Sequence, residues 1–276
     1  MTVHTVCVRI ARRLRRAYPA GVGLFRRRTR IDDATWEQVA GRLAILQGLG
    51  AQDLVRLHAL AERFACRRQF RYAAGTAQDA ETEALVAVQA CLAILHLDLS
   101  WYSRWGTVLI VPRDYETDVT ETDEAGVVHE GTDIASGEYA PLGLIVLSLP
   151  DIRESGTGSG YNVVIHEAAH VMDARDGALD GAPPLPARMD ARRWAAVFTE
   201  AYEDLQRRVS ARARRARRSA FDPYAAEDPA EFFAVACELF FERPTRLRSE
   251  YEDVYAELAR FFGQDPAGRQ GFGSGP

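Results

Sequence analysis

His166 and His170 stand four residues apart, with Glu167 beside the first, in the run His166-Glu167-Ala168-Ala169-His170. On a helix, residues four apart share a face, one turn above the other. Both imidazoles can therefore point at one ion, and zinc accepts neutral imidazole at about 2.0 Å. Glu167 projects from the adjacent position, where it reaches a water on the metal rather than the metal itself. The metal lowers the pKa of that water to about 7, and the carboxylate takes its proton as it attacks a carbonyl. One helical turn thus supplies two ligands and a general base. The flanking Val163, Val164, Ile165, Ala168, Ala169, Val171 and Met172 are apolar or small. A buried helix that carries His-Glu-His needs a reason for those polar groups. A surface helix with histidines paired to acids is the plainer alternative.

A catalytic zinc takes a third protein ligand and keeps a position for water. Asp173 lies on the same face, one turn beyond His170, and is short enough to suit orienting a histidine better than ligation. Glu231 and Glu238 stand seven apart among Phe232, Phe233, Val235, Ala236, Leu239 and Phe240, hence roughly on one face of an apolar helix. Glu231 reads either as a carboxylate facing the metal or as a favourable first-turn charge. For Glu238 a buried salt bridge or a surface position fits better than ligation.

These residues need elements to hold them. Asn162 is a good N-cap for a helix that runs to about Ala174. Pro229 opens a second helix, as proline does at a first turn, and Pro244 bounds it. Asp33 to Arg71 is helical by period, with Gly48-Leu49-Gly50 as the break. Ala80 to Leu97 is a third, apolar helix. Trp194 to Ser219 and Tyr251 to Phe262 complete the helical set. The period changes at Thr107–Val111 and Leu142–Leu149, two β-branched or aliphatic runs stopped by prolines. Val127 to Gly131 is a brief strand running into a turn. The expected fold is α+β: a mostly helical domain over residues 31–266 with a small mixed or antiparallel sheet. A basic leader over 1–30 precedes it and a flexible tail over 267–276 follows. Ser155 to Gly160 reads as a hinge rather than a phosphate cradle, because no P-loop lysine follows.

Composition narrows the class. The chain has 276 residues, a formal net charge of -5 and 47% hydrophobic content, enough for a sizeable core. All 34 basic residues are arginine. The four cysteines, Cys7, Cys66, Cys91 and Cys237, form no C-x-x-C pair and no disulfide pattern, and a reducing cytoplasm fits them best. No run is long and apolar enough for a membrane span, and arginines interrupt any signal-type h-region. Val3, Val6, Ile10 and Leu14 recur opposite those arginines, so the leader is either a loosely ordered basic tail or a helix that touches anionic lipid. Arg207 to Arg218 is a second basic stretch. No nucleic-acid motif accompanies it and the net charge is negative, so a solvated face is expected rather than direct nucleic-acid binding.

Together these residues resemble the Mlc titration factor A family of bacterial zinc peptidases, of the gluzincin type. Tyr161-Asn162-Val163-Val164-Ile165-His166-Glu167, with Ala169-His170, Asp173 and Gly177, looks like the family's helix. Asp222-Pro223-Tyr224-Ala225-Ala226 followed by Asp228-Pro229-Ala230-Glu231 looks like its second signature. Gln89-Ala90-Cys91 and Gly126-Val127-Val128-His129 add to the likeness. The resemblance implies a zincin-like domain with one zinc per chain on His166, His170 and Glu231, with Glu167 as base and Tyr224 beside the oxyanion. It implies a role for His129 as a further ligand or as a substrate contact; an ordinary turn histidine is the plain reading. It also implies aminopeptidase-like hydrolysis of small peptides and, in enterobacterial members, binding to the repressor Mlc. The basic leader and the Arg212–Arg218 run depart from the enterobacterial pattern. A regulatory binding module with little catalytic activity is the alternative function. A substrate strand is expected to add to the sheet at Leu142–Leu149.

Overall fold

The computed structural model describes residues 30–74, 76–112, 115–122, 128–135, 137–140, 143–211 and 219–269; from 115 to 140 the description is of the backbone. Most of the basic leader, Arg212–Arg218 and the end of the tail lie outside these residues. The elements run α1 (Asp33–Arg42), α2 (Ala51–Arg67), β1 (Gln69–Tyr72), α3 (Ala80–Ala93), β2 (Thr107–Val111), β3 (Tyr115–Thr122), β4 (Val128–Ala135), β5 (Gly137–Ala140) and β6 (Leu144–Ser148). They continue as α4 (Leu149–Glu154), α5 (Val163–Asp173), α6 (Ala191–Ser210), α7 (Pro229–Glu242), α8 (Pro244–Glu250) and α9 (Glu252–Phe262). The architecture is α+β, as the sequence implies.

One sheet has the order β1-β2-β6-β5. β1, β2 and β6 are parallel neighbours, and β5 runs antiparallel to β6. The parallel pair β1–β2 needs a crossover connection, and α3 supplies it. That helix is apolar all round because it is buried all round, from Ala84 to Ala93. In β2 and β6 the runs Thr-Val-Leu-Ile-Val and Leu-Ile-Val-Leu-Ser are mostly buried, as strands covered on both faces are. A second sheet is the antiparallel ribbon β3–β4.

Two expectations change, and one strand is new. The helical pattern assigned as far as Arg71 ends at Arg67, and Gln69–Tyr72 pairs instead with Thr107–Ile110. β3, a polar run, is a strand because it pairs along its whole length with β4. Finally, β6 is interior, between β2 and β5. The expected docking strand therefore has no free edge. The edge on that side belongs to β5, which is also the strand that approaches α5.

Helices α5 and α7 pack on each other at the centre of the molecule. Behind α7 lies an aromatic core. Phe221 stacks on Phe232 at 4.7 Å and Trp194 on Phe198 at 4.2 Å, with Phe233 edge-on to Trp194. Such contacts add to area burial by about 0.5–1.5 kcal/mol per pair. They give the two central helices a rigid backing. Cys91 and Cys237 are buried in the same core. No helix among the described residues is long and apolar enough to cross a membrane.

Candidate metal centre

The two helices that meet at the centre are each started by a side-chain cap, and the caps set the positions of the polar groups. Asn162 caps α5 by accepting from the Ile165 amide at 2.9 Å. Asp228 caps α7 by accepting from the amides of Ala230 at 2.7 Å and Glu231 at 2.9 Å, with Pro229 in the first turn. A carboxylate cap and a first-turn proline leave Glu231 in the opening turn of α7, facing α5. Tyr224 sits on a short 3-10 turn, Pro223–Ala226, whose own cap is Asp222.

His166, His170 and Glu231 converge. The two Nε2 atoms lie 3.1 Å apart. Glu231 approaches His166 Nε2 at 3.2 Å through Oε2 and His170 Nε2 at 3.4 Å through Oε1. The three residues form a group of potential metal ligands among the described residues, with one donor atom from each within 4.8 Å of the others. Two imidazole nitrogens with facing lone pairs repel at that separation unless a cation or a proton lies between them. This donor set is what a divalent metal fills.

Electrostatics follow from crowding. Burial opposes the charge on His166, but hydrogen bonds to Glu231 and Glu238 outweigh it and hold the ring well above the usual imidazole range. Burial likewise opposes ionisation of Glu231, yet the two histidines prevail and hold its carboxyl well below the usual carboxylate range. Glu167 is almost wholly buried, and desolvation raises its pKa against the pull of His166 and His170. Its Oε2 meets no hydrogen-bonding partner among the described residues. Tyr224 is 43% exposed, with its ring centroid 6.4 Å from that of His166. Partial burial and then the charge of Glu231 push its hydroxyl pKa far up.

Five of the six residues to which the resemblance gives a role are thus gathered here. The sixth, His129, lies in β4 opposite Glu121, and its side chain is outside the described residues. Asp173 orients no histidine among the described residues. Its Oδ2 accepts from the Gly181 amide at 2.8 Å, which folds the loop after α5 back on itself. Gly181, at φ +77°, in turn lies so close to α7 that a Cβ would stand 2.3 Å from the Pro229 carbonyl oxygen.

A buried polar network lies behind the metal face, and in it Glu238 makes a buried ion pair, one of the two readings its place on the apolar helix allows. Glu238 accepts from His166 Nδ1 at 2.9 Å with Oε1 and from the Asn162 amide at 2.5 Å with Oε2. The Asn162 side-chain amide donates to Gln89 and to Glu242, each at 2.8 Å. Glu242 then accepts from the backbone amides of Gly156 and Gly158, both at 2.7 Å. The glycine loop is therefore an anion cradle after all, filled by the chain's own carboxylate. Gly156 and Gly158 both take φ +84°, which lets successive amides point inward. Burial raises the pKa of Glu242, and the bonds from Asn162 and the two glycines counter it. A signal was present: three acids at 231, 238 and 242 on an otherwise apolar helix demand partners.

A histidine pair on one helix closed by a carboxylate from another is a potential metal centre, and comparison with known proteins supplies the class. The family model described as glucose-regulated metallo-peptidase M90 matches residues 12–263. A protein named Mlc titration factor A from Escherichia fergusonii is 35% identical over 236 residues, covering 85% of this chain and 88% of that protein. One of the same name from Salmonella arizonae is 34% identical over 242 residues, covering 87% and 95%. The chain belongs to the M90 family of metallopeptidases.

Proposed function

We propose that the chain is a zinc peptidase of the H-E-x-x-H, gluzincin type, acting on short peptides in the manner of an aminopeptidase, with one zinc on His166, His170 and Glu231. The convergence of donors from two helices, at separations of 3.1, 3.2 and 3.4 Å, carries this reading. A tetrahedral zinc with bonds near 2.0–2.1 Å has ligand–ligand edges of about 3.3 Å, so the donors fit with little rearrangement. Zinc bound there supplies Lewis acidity at the scissile carbonyl and lowers the pKa of water.

The chain's residues do the rest. Glu167 takes a proton from the attacking water and gives it to the leaving amine. Its burial-raised pKa suits a carboxylate that must do both near neutral pH. Tyr224 stays protonated, because its pKa is raised, and donates its hydroxyl to the developing oxyanion. An extended substrate adds to the edge strand β5 in a zincin-like cleft beside α5. His129 is retained as a substrate contact or further ligand. The buried thiols Cys91 and Cys237 suit a reducing cytoplasm.

The test is hydrolysis of aminoacyl and short peptide substrates by zinc-loaded protein beside Glu167→Gln. The variant is expected to keep its zinc and lose about 10²–10⁴-fold in rate. Undiminished turnover in it rejects the assignment.

The name shared by the relatives, Mlc titration factor A, supports a second and compatible reading, in which the chain binds a Mlc-like transcriptional repressor. Capture of the host's own repressor should then persist in Glu167→Gln. Failure of purified repressor to bind either form rejects it.

A further inference from the structure

We propose that Glu238 is a positioning residue for the metal: it fixes His166 in the orientation and tautomer that present Nε2 to the ion. The inference rests on the metal-site reading above and goes beyond it.

The His166 ring lies between two carboxylates of one helix. Glu231 meets Nε2 at 3.2 Å, and Glu238, two turns further along α7, meets Nδ1 at 2.9 Å. A carboxylate accepts only, so Nδ1 must carry a proton toward Glu238; without metal Nε2 carries one toward Glu231 as well, and a cation that displaces that second proton meets the Nε2 lone pair. Glu238 is itself fixed. It is 3% exposed, and its second oxygen takes the Asn162 amide at 2.5 Å. Asn162 begins the helix that carries His166, and through Glu242 it is tied to the Gly156 and Gly158 amides. The ring is therefore held against a frame that reaches from the glycine loop through α5 to the far half of α7. Partners of this sort fix ring orientation and raise ligand basicity. Glutamine at 238 keeps one acceptor but turns a donor toward either His166 Nδ1 or the Asn162 amide.

The test is zinc affinity, measured by chelator competition on wild type, His166→Ala and Glu238→Gln. Binding of one zinc by wild type, its loss in His166→Ala and a weakening of about 10–100-fold in Glu238→Gln support the proposal. Equal affinity of Glu238→Gln and wild type overturns it while leaving the metal site intact. Failure of wild type to bind zinc, or full binding by His166→Ala, overturns the metal-site reading and the inference with it. A measurement that needs no variant guards against a fold defect at 238. In zinc-loaded wild type, ¹⁵N resonances of His166 should show a protonated, slowly exchanging Nδ1 and a coordinated Nε2. A coordinated Nδ1, or one in rapid exchange with water, overturns the proposal.

Discussion

The two histidines of α5 are one turn apart and face the same carboxylate, yet they are held differently. His166 has a polar partner at each nitrogen, Glu231 on one side and Glu238 on the other. His170 meets Glu231 and His166 through Nε2, while its Nδ1 has no hydrogen-bonding partner among the described residues. One ring is held at both nitrogens, the other at Nε2 only, with the rest of it set by packing at 6% exposure. A metal needs both rings, but only one of them is built into a network that reaches the glycine loop. Removal of either should therefore abolish binding equally and disturb the fold unequally.

Stability in the presence of chelator separates the two most sharply. His166→Ala leaves the buried Glu238 without its imidazole partner and should cost about 2–3 kcal/mol more than His170→Ala, which strips a partner only from Glu231, the carboxylate both rings share. Denaturant unfolding measures both, and equal losses would contradict the distinction. Gly181→Ala tests the His170 end from outside. The new Cβ demands a left-handed backbone and meets the Pro229 carbonyl, so a loss of about 2 kcal/mol is expected. Because Pro229 opens the turn that carries Glu231, zinc affinity should fall too, and unchanged affinity would show that this contact does not govern the ligand.

The smallest effect is a pH dependence at Asp173. Its pKa is raised to about 6, first by burial, against the bonds it accepts from Gly181 and Ala182. A carboxyl that holds its proton more tightly when folded favours the folded state at low pH, and that contribution is lost as pH rises from about 4 to about 6. The metal-free protein should lose about 1–2 kcal/mol across that window relative to Asp173→Asn. The difference curve is the measurement, since Glu167 and Glu242 shift in the same sense. A flat difference would place the titration elsewhere.

What the sequence made legible was local. Asn162 and the apolar run behind it mark α5 because cap and period are encoded within one segment. Asp228-Pro229 marks α7 and so places Glu231 in its first turn. Thr107–Val111 reads as a strand from its own residues. Pairing was not legible. Gln69–Tyr72 is a strand because β2 lies beside it, and Leu144–Ser148 is interior because β5 covers its other edge. The partner of Glu238 was hidden for the same reason. The seven-residue spacing from Glu231 gave its face but not the ring across from it. Asp173 shows the converse, since its place on the face of His170 suggested a contact that the loop amide of Gly181 takes instead.

One zinc is expected between His166, His170 and Glu231, with His166 turned by Glu238 to offer Nε2. Crystals of the zinc-loaded protein, measured at the zinc absorption edge, test it most directly. One anomalous peak is predicted within about 2.0–2.2 Å of both Nε2 atoms and of the Glu231 carboxylate, with Glu238 still on Nδ1. A peak bound through Nδ1 of His166, or one seated away from these three residues, would contradict the account.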